Sequence, residues 1–220
     1  MKRSYASVLL RRTLPKRAVG PVLALLSQGE RSLMGRFGFG ASLKSQRPVA
    51  EDGSPLPWLP YVVTEILKAR LKPDMAVFEF GGGYSTRFFM TRVGTVTTVE
   101  HDASWCRKLQ EQVDPNVSVL FRDAVNLRAY ASAITEADRS FDLVLVDGIA
   151  RVESFSAALP ALSSRGVILL DDSDRANYEA CFVMARKSGF KALSLVGHKP
   201  GAISMHQSTL FYRAANCLDI

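Results

Sequence analysis

The sequence predicts an α/β fold, a mostly parallel, doubly wound sheet with helices on both faces. Three observations carry that prediction. From residue 76 to residue 189, continuous apolar strands alternate with helix-forming segments, the pattern of strands buried on both faces. The first of these strands runs directly into Gly81-Gly82-Gly83 and then into a helix. The last two strands have no helix between them, so they are expected to pair antiparallel as a hairpin.

Taken in order, residues 1–50 mix basic residues with two short apolar clusters, Val8-Leu9-Leu10 and Val22-Leu23-Ala24-Leu25-Leu26. The first is too short for a secretory core, and Pro21 and Ser27-Gln28 bound the second. Residues 1–46 are therefore expected to form a basic arm packed on the domain or on a second subunit. An organelle-type leader and a weak membrane-surface contact are the alternatives. Residues 47–60 hold Pro48, Asp52-Gly53, Pro55, Pro57 and Pro60, which predicts an ordered loop. Within it Trp58, and just after it Tyr61, either anchor the loop or line a substrate pocket. A helix over 61–70 carries Val62, Val63, Ile66 and Leu67 as its apolar stripe. Strands follow at 76–80, 96–100, 117–121, 141–147 and 166–171. The helices between them start at 86 and at 103, and one runs through 157–159. A helix over 177–187 stops at Gly189, and the closing strands are 192–196 and 208–213.

The bulk composition excludes several classes. With 220 residues and 47% hydrophobic content, one domain can bury a sufficient core without metal or disulfide support. The three cysteines, Cys106, Cys181 and Cys217, form no CxxC pair, which fits a reducing, cytoplasmic setting. Residues 1–50 hold ten Lys/Arg against one acid, Glu30, a net +9, which leaves −2 for residues 51–220 out of the total of +7. The basic character belongs to the leader, and this argues against a nucleic-acid groove across the body. No apolar run approaches the ~20 residues of a membrane span.

The chemistry-bearing residues gather at strand ends. In Glu79-Phe80-Gly81-Gly82-Gly83-Tyr84-Ser85-Thr86, bare backbone sits where a ligand must come close. Glu79 can take the amino group of an amino-acid cofactor. Glu100, at the tip of the second strand, can accept the hydroxyls of a ribose. Asp123, in Phe121-Arg122-Asp123-Ala124, closes the third strand, where an adenine edge can be read. Three acids at three successive strand ends suit a nucleoside cofactor at the carboxyl edge of an open sheet.

The run from Val77 through Thr86 resembles motif I of class I S-adenosylmethionine methyltransferases, and Val99-Glu100-His101-Asp102 resembles their second-strand acidic motif. Phe141-Asp142-Leu143-Val144-Leu145-Val146-Asp147-Gly148 and Gly166-Val167-Ile168-Leu169-Leu170-Asp171-Asp172 look like their fourth and fifth strands. More narrowly, Pro55-Leu56-Pro57-Trp58, Asp171-Asp172-Ser173-Asp174-Arg175 and Ser208-Thr209-Leu210-Phe211-Tyr212 are similar to a bacterial group of methyltransferases. The resemblance covers residues 50–214 and implies a Rossmann-like domain over 47–220, with seven strands in order 3-2-1-4-5-7-6 and strand 7 antiparallel. It implies S-adenosyl-L-methionine held by Glu79, Gly81, Gly82, Gly83, Ser85, Thr86, Glu100, His101, Asp123, Ala124 and Asp147.

Asp147 is expected to act as a base, and Arg151 and Arg175 to hold an anionic substrate or to pair with nearby aspartates. Asp147, Asp171 and Asp172 also resemble the acidic set of catechol-type enzymes, where Mg²⁺ is bound. Helix capping by Asp172, Ser173 or Asp174 is the alternative. The expected acceptor is a small-molecule or glycan-type compound methylated on oxygen, and a homodimer is a further expectation. An aminopropyltransferase on the same scaffold and a non-catalytic membrane adaptor are the competing functions.

Overall fold

A computed structural model describes Pro15 and residues 37–220 of the chain. The readings placed on residues 1–36, namely the basic leader, its membrane contact and its part in a dimer, lie outside the described residues.

The helices are α1 (Phe39–Ser45), α2 (Tyr61–Arg70), α3 (Tyr84–Met90), α4 (Ala103–Gln110), α5 (Leu127–Ser132), α6 (Arg151–Ala161) and α7 (Glu179–Lys187). The strands are β1 (Ala76–Phe80), β2 (Thr95–Glu100), β3 (Val117–Phe121), β4 (Phe141–Val146), β5 (Leu162–Asp171), β6 (Lys191–His198) and β7 (Met205–Tyr212). They form one seven-stranded sheet in the order β3-β2-β1-β4-β5-β7-β6. β1 through β5 pair in parallel, and β7 pairs antiparallel with both β5 and β6. The expected order and the antiparallel seventh strand are both observed.

The parallel part follows from alternation on two buried faces. Successive strand side chains point to opposite sides. Phe78, Val144, Val146, Ile168 and Leu170 enter one core, with Tyr130 and Phe155 from the helices above it. Val77, Leu143, Leu145, Val167 and Leu169 enter the other, with Leu67, Phe88 and Phe89. Because both faces are covered, the strands read as unbroken apolar runs.

Some elements differ from the sequence expectation. α2 buries Tyr61, Val63, Thr64 and Leu67, whereas Val62 is 40% exposed, so its inward face is rotated from the expected stripe. α3 begins at Tyr84, two residues early, because Thr86 Oγ1 accepts from Gly83 N (2.8 Å) and closes the first turn. β5 starts at Leu162; its polar residues Ser163, Ser164 and Arg165 hid that extension from an apolar-pattern reading. α5 and the 3₁₀ turn Ala133–Ala137 had no counterpart in the reading, although Asn126 caps α5 through Ala129 N (3.0 Å). α1 lies within the segment assigned to the arm and packs on the body, where Phe39 joins Leu56 and Tyr61 in a third small core and Phe37 stacks on Tyr61. Among the described residues, no helix is long and apolar enough to cross a membrane.

Candidate functional site

The site is built around the turn between β1 and α3. Gly81 takes φ +94° and donates its N–H to Val99 O (2.9 Å), which ties the turn to β2. A Cβ on Gly81 would fall 2.8 Å from Gly148 Cα, and one on Gly82 would fall 2.7 Å from Leu109. These two glycines therefore allow packing against β4 and α4. Gly83 is different. A Cβ there would meet only Trp105, at 3.9 Å, so its α-carbon faces open space.

Glu79 lies beneath this turn and is fully buried. The Thr86 hydroxyl donates to its Oε2, and the same hydroxyl accepts from Gly83 N. Its Oε1 is buried without a hydrogen-bond partner. Burial raises the Glu79 pKa to about 7, against the pull of the nearby Ser85, Thr86 and Thr98 hydroxyls. Glu79 thus organises the loop from behind rather than lining its open side.

The open side is a cavity of about 450 Å³ at the carboxyl edge of the sheet, bordered by Trp58, Gly83, Glu100, His101, Trp105 and Asp147, among others. Glu100 Oε1 accepts from His101 N (2.7 Å) and Asp102 N (2.8 Å), and Oε2 receives no hydrogen bond from the described residues. His101 stands edge-on to Tyr130, 6.3 Å between ring centroids. Asp102 caps α4 by accepting from Ser104 N and Trp105 N, which orients the Trp105 indole to donate to Gly82 O (2.7 Å). The acidic strand end and the glycine turn are thereby locked together.

Asp147 faces the same cavity with about 25% of its side chain exposed. Arg151 Nη2 donates to its Oδ1 (3.0 Å). Burial, then the charge of Asp171, raises the Asp147 pKa well above the ordinary carboxylate range, and Arg151 opposes that rise only in part.

The structure brings together Gly81, Gly82, Gly83, Ser85, Glu100, His101 and Asp147 around the cavity. It does not bring Asp123 or Ala124 there. Both are exposed, and Asp123 Oδ1 accepts from Val125 N (2.8 Å), the bond of a local turn. Thr86 is buried behind the loop. Arg151 spends its donors on Gly148 O, Asp171 O and Asp147, bracing the ends of β4 and β5. Arg175 donates to Asp172 Oδ2 (2.5 Å) beside the cavity rather than within it.

The metal reading is corrected. Among the described residues, no group of His, Cys, Asp or Glu is placed to hold a metal. The reason is Lys199, whose buried Nζ lies 2.5 Å from Asp171 Oδ2 and 2.8 Å from Asp172 Oδ1. Asp171 also accepts from Ser208 Oγ (2.7 Å), and Asp172 accepts from Arg175. An ammonium and two guanidiniums already supply the positive charge that a cation would bring. Burial pulls the Lys199 pKa down, but Asp171 and Asp172 more than offset it, and the net direction is up.

The sequence reading missed Lys199 and Trp105. Two aspartates at one strand end need a counter-charge, and Lys199 in the last hairpin's loop was an available one. Trp105, in the first turn after an acidic strand end, had the right address but no recognisable pattern.

Residues 78–173 match the family model described as a methyltransferase domain. That stretch, less than half of the chain, is similar to a methyltransferase domain. That match takes in the glycine turn, Glu100, Asp147 and Asp171, and leaves Trp58 and Lys199 outside it.

Among solved structures, a methyltransferase-like protein from Silicibacter pomeroyi is similar at TM-score 0.52 and 21% identity, over 72% of this chain and 89% of that one. Spermidine synthase from Thermotoga maritima gives TM-score 0.52 and 16% identity over 69% of this chain, which spans only 57% of the synthase. A Streptococcus mutans protein in complex with SAH gives TM-score 0.50 and 11% identity, over 70% and 97% of the two chains. No curated protein matches. With 580 solved chains matching it, the likeness shows the fold and leaves open what the chain acts on.

Proposed function

We propose that the chain is an S-adenosylmethionine-dependent methyltransferase acting on oxygen of a small-molecule or glycan-type acceptor. The observation that carries this is Glu100. One of its oxygens is fixed by two backbone amides while the other is unpaired at the wall of a 450 Å³ cavity, the arrangement a ribose diol needs. The donor set fits the rest of the cofactor. Gly83 leaves its side of the cavity free of side-chain atoms, and behind the turn the buried Glu79 Oε1 is an acceptor that no protein group satisfies. When bound, the cofactor supplies a methyl group already activated on a sulfonium.

The chain's own residues then position and deprotonate. His101 and Trp105 border the cavity with flat ring surface for a nucleobase, and the half-exposed Trp58 stands at its mouth. Asp147, its Oδ1 held by Arg151, accepts the proton of the acceptor hydroxyl as the oxygen becomes a nucleophile. Its raised pKa strengthens it as a base. Lys199 engages Asp171 and Asp172 in ion pairs, which leaves Asp147 as the strand-end carboxylate that faces the cavity. The three cysteines are free and buried, which supports a cytoplasmic placement.

Calorimetric titration with S-adenosylhomocysteine tests the proposal, followed by a screen of acceptors with methyl-labelled cofactor. Absence of binding would leave the adaptor reading. Binding of the decarboxylated cofactor in preference to the intact one would favour the aminopropyltransferase.

A further inference from the structure

A second cavity, of about 260 Å³, lies on the far side of Trp58. Leu43 and Gln46 from α1 and its C-cap, Arg47 after it, and Pro200 and Gly201 from the β6–β7 loop line it, and it opens to solvent along the exposed Leu43, Gln46 and Arg47. Trp58 borders both cavities, so they meet at one indole. That indole is held in place, because Nε1 donates to Pro200 O (3.1 Å) across 142 residues of sequence.

The polar groups of the second cavity fall into two kinds. Ser42 is consumed locally, donating to Val49 O (2.8 Å) and accepting from Val49 N (3.1 Å). Arg47 and Gln46 are solvent-exposed at the rim and free to meet a ligand. Among the described residues neither side chain has an ion pair or a hydrogen bond, and no carboxylate lines the cavity to neutralise Arg47. A solvent-exposed guanidinium with no protein partner, at the rim of a cavity walled by an indole and a leucine, can exchange water for an anion attached to an apolar or planar group.

From this we propose that the second cavity is the acceptor subsite, and that it takes a compound carrying a carboxylate or phosphate joined to an apolar or aromatic portion. The inference rests on reading the larger cavity as the cofactor site. The anion would pair with Arg47, the apolar portion would lie on Leu43 and Trp58, and the nucleophilic end would pass Trp58 toward the methyl group. These residues all lie outside the methyltransferase family match, as expected of the part that sets specificity rather than cofactor.

The test uses the full chain in three steps. S-adenosylhomocysteine is first titrated by calorimetry; failure there refutes the cofactor reading and is recorded separately. With that ligand saturating, phenyl phosphate and phenylacetate are then titrated, with benzyl alcohol as the neutral control. At least one anion should bind, and benzyl alcohol should bind at least about tenfold more weakly. Arg47→Ala should weaken that anion by about tenfold or more while leaving S-adenosylhomocysteine affinity unchanged, and Arg47→Lys should restore part of the loss.

The chain has two tryptophans, so Trp105→Phe leaves Trp58 as the sole indole reporter. The anion should change the Trp58 fluorescence in that variant. No binding of either anion, binding indifferent to Arg47→Ala, or displacement of the anion by S-adenosylhomocysteine would each overturn the assignment.

Discussion

Gly83→Val is the most direct probe of the cavity, because of the three turn glycines only Gly83 has open space where a side chain would go. Its φ of 175° is extended backbone, and its nearest prospective neighbour is the Trp105 ring at 3.9 Å. The added Cβ would therefore stand at ordinary contact distance from Trp105, and the two methyls beyond it would take up room at the cavity wall. Gly83 also precedes α3 as its N-cap, where valine is poorer than glycine; that costs about 1 kcal/mol, or about 2–4 °C in Tm for a chain of this size. The ligand suffers more. Overlap of three carbons with a filled site costs about 1–3 kcal/mol, which is about 5- to 150-fold in Kd.

Gly81→Ala provides the contrast. At φ +94° and 2.8 Å from the Gly148 backbone it strains the fold itself, by about 1–3 kcal/mol. Thermal unfolding followed by calorimetry with S-adenosylhomocysteine separates the two effects. A Gly83→Val protein with near-native Tm and unchanged affinity would refute the placement of the cofactor in this cavity.

Three further outcomes follow from charges the structure buries. Asp147→Asn should lower kcat by about 10²–10⁴ with cofactor affinity kept. The wild-type rate should climb with pH as Asp147 ionises above its raised pKa, and a variant of undiminished kcat would remove Asp147 as the base. Glu79 has its pKa lifted from 4.5 to about 7, so the neutral form's advantage to the fold is complete below pH ~4.5 and is lost as pH rises through 7. Glu79→Gln should flatten the stability–pH curve in that window by at most about 3 kcal/mol, and urea unfolding from pH 4 to 8 that shows the same slope in both proteins would contradict it. Lys199→Met should cost about 3–5 kcal/mol by leaving Asp171 and Asp172 buried with one cation fewer; a loss under about 1 kcal/mol in urea unfolding would mean that Arg151 and Arg175 suffice.

What could be read from the chain and what could not divide along one physical line. Strand order, the glycine turn and Glu100 were legible because each is written in contiguous residues: an apolar run ends in glycines, and an acid closes a β-branched strand. Gly81 and Gly83 look alike in sequence, yet one packs on Gly148 and the other faces the cavity; only the return of β4 beside β1 distinguishes them. The acidic pair Asp171-Asp172 read as a metal set because its neutralising group arrives from 27 and 28 residues away, carried by a hairpin loop with no motif of its own. Trp58 is tied to Pro200 by the same closure. Lys199 and the contact of Trp58 both depend on the hairpin loop folding back over the carboxyl edge of the sheet, whereas Asp123 is turned away by a local bond to Val125 N. A cofactor shared by many enzymes can be met by a short local pattern, whereas an individual acceptor must be met by surfaces that tertiary folding assembles from distant residues. The residues hardest to read here, Lys199 and the walls of the second cavity, are therefore where this chain's own specificity should be sought.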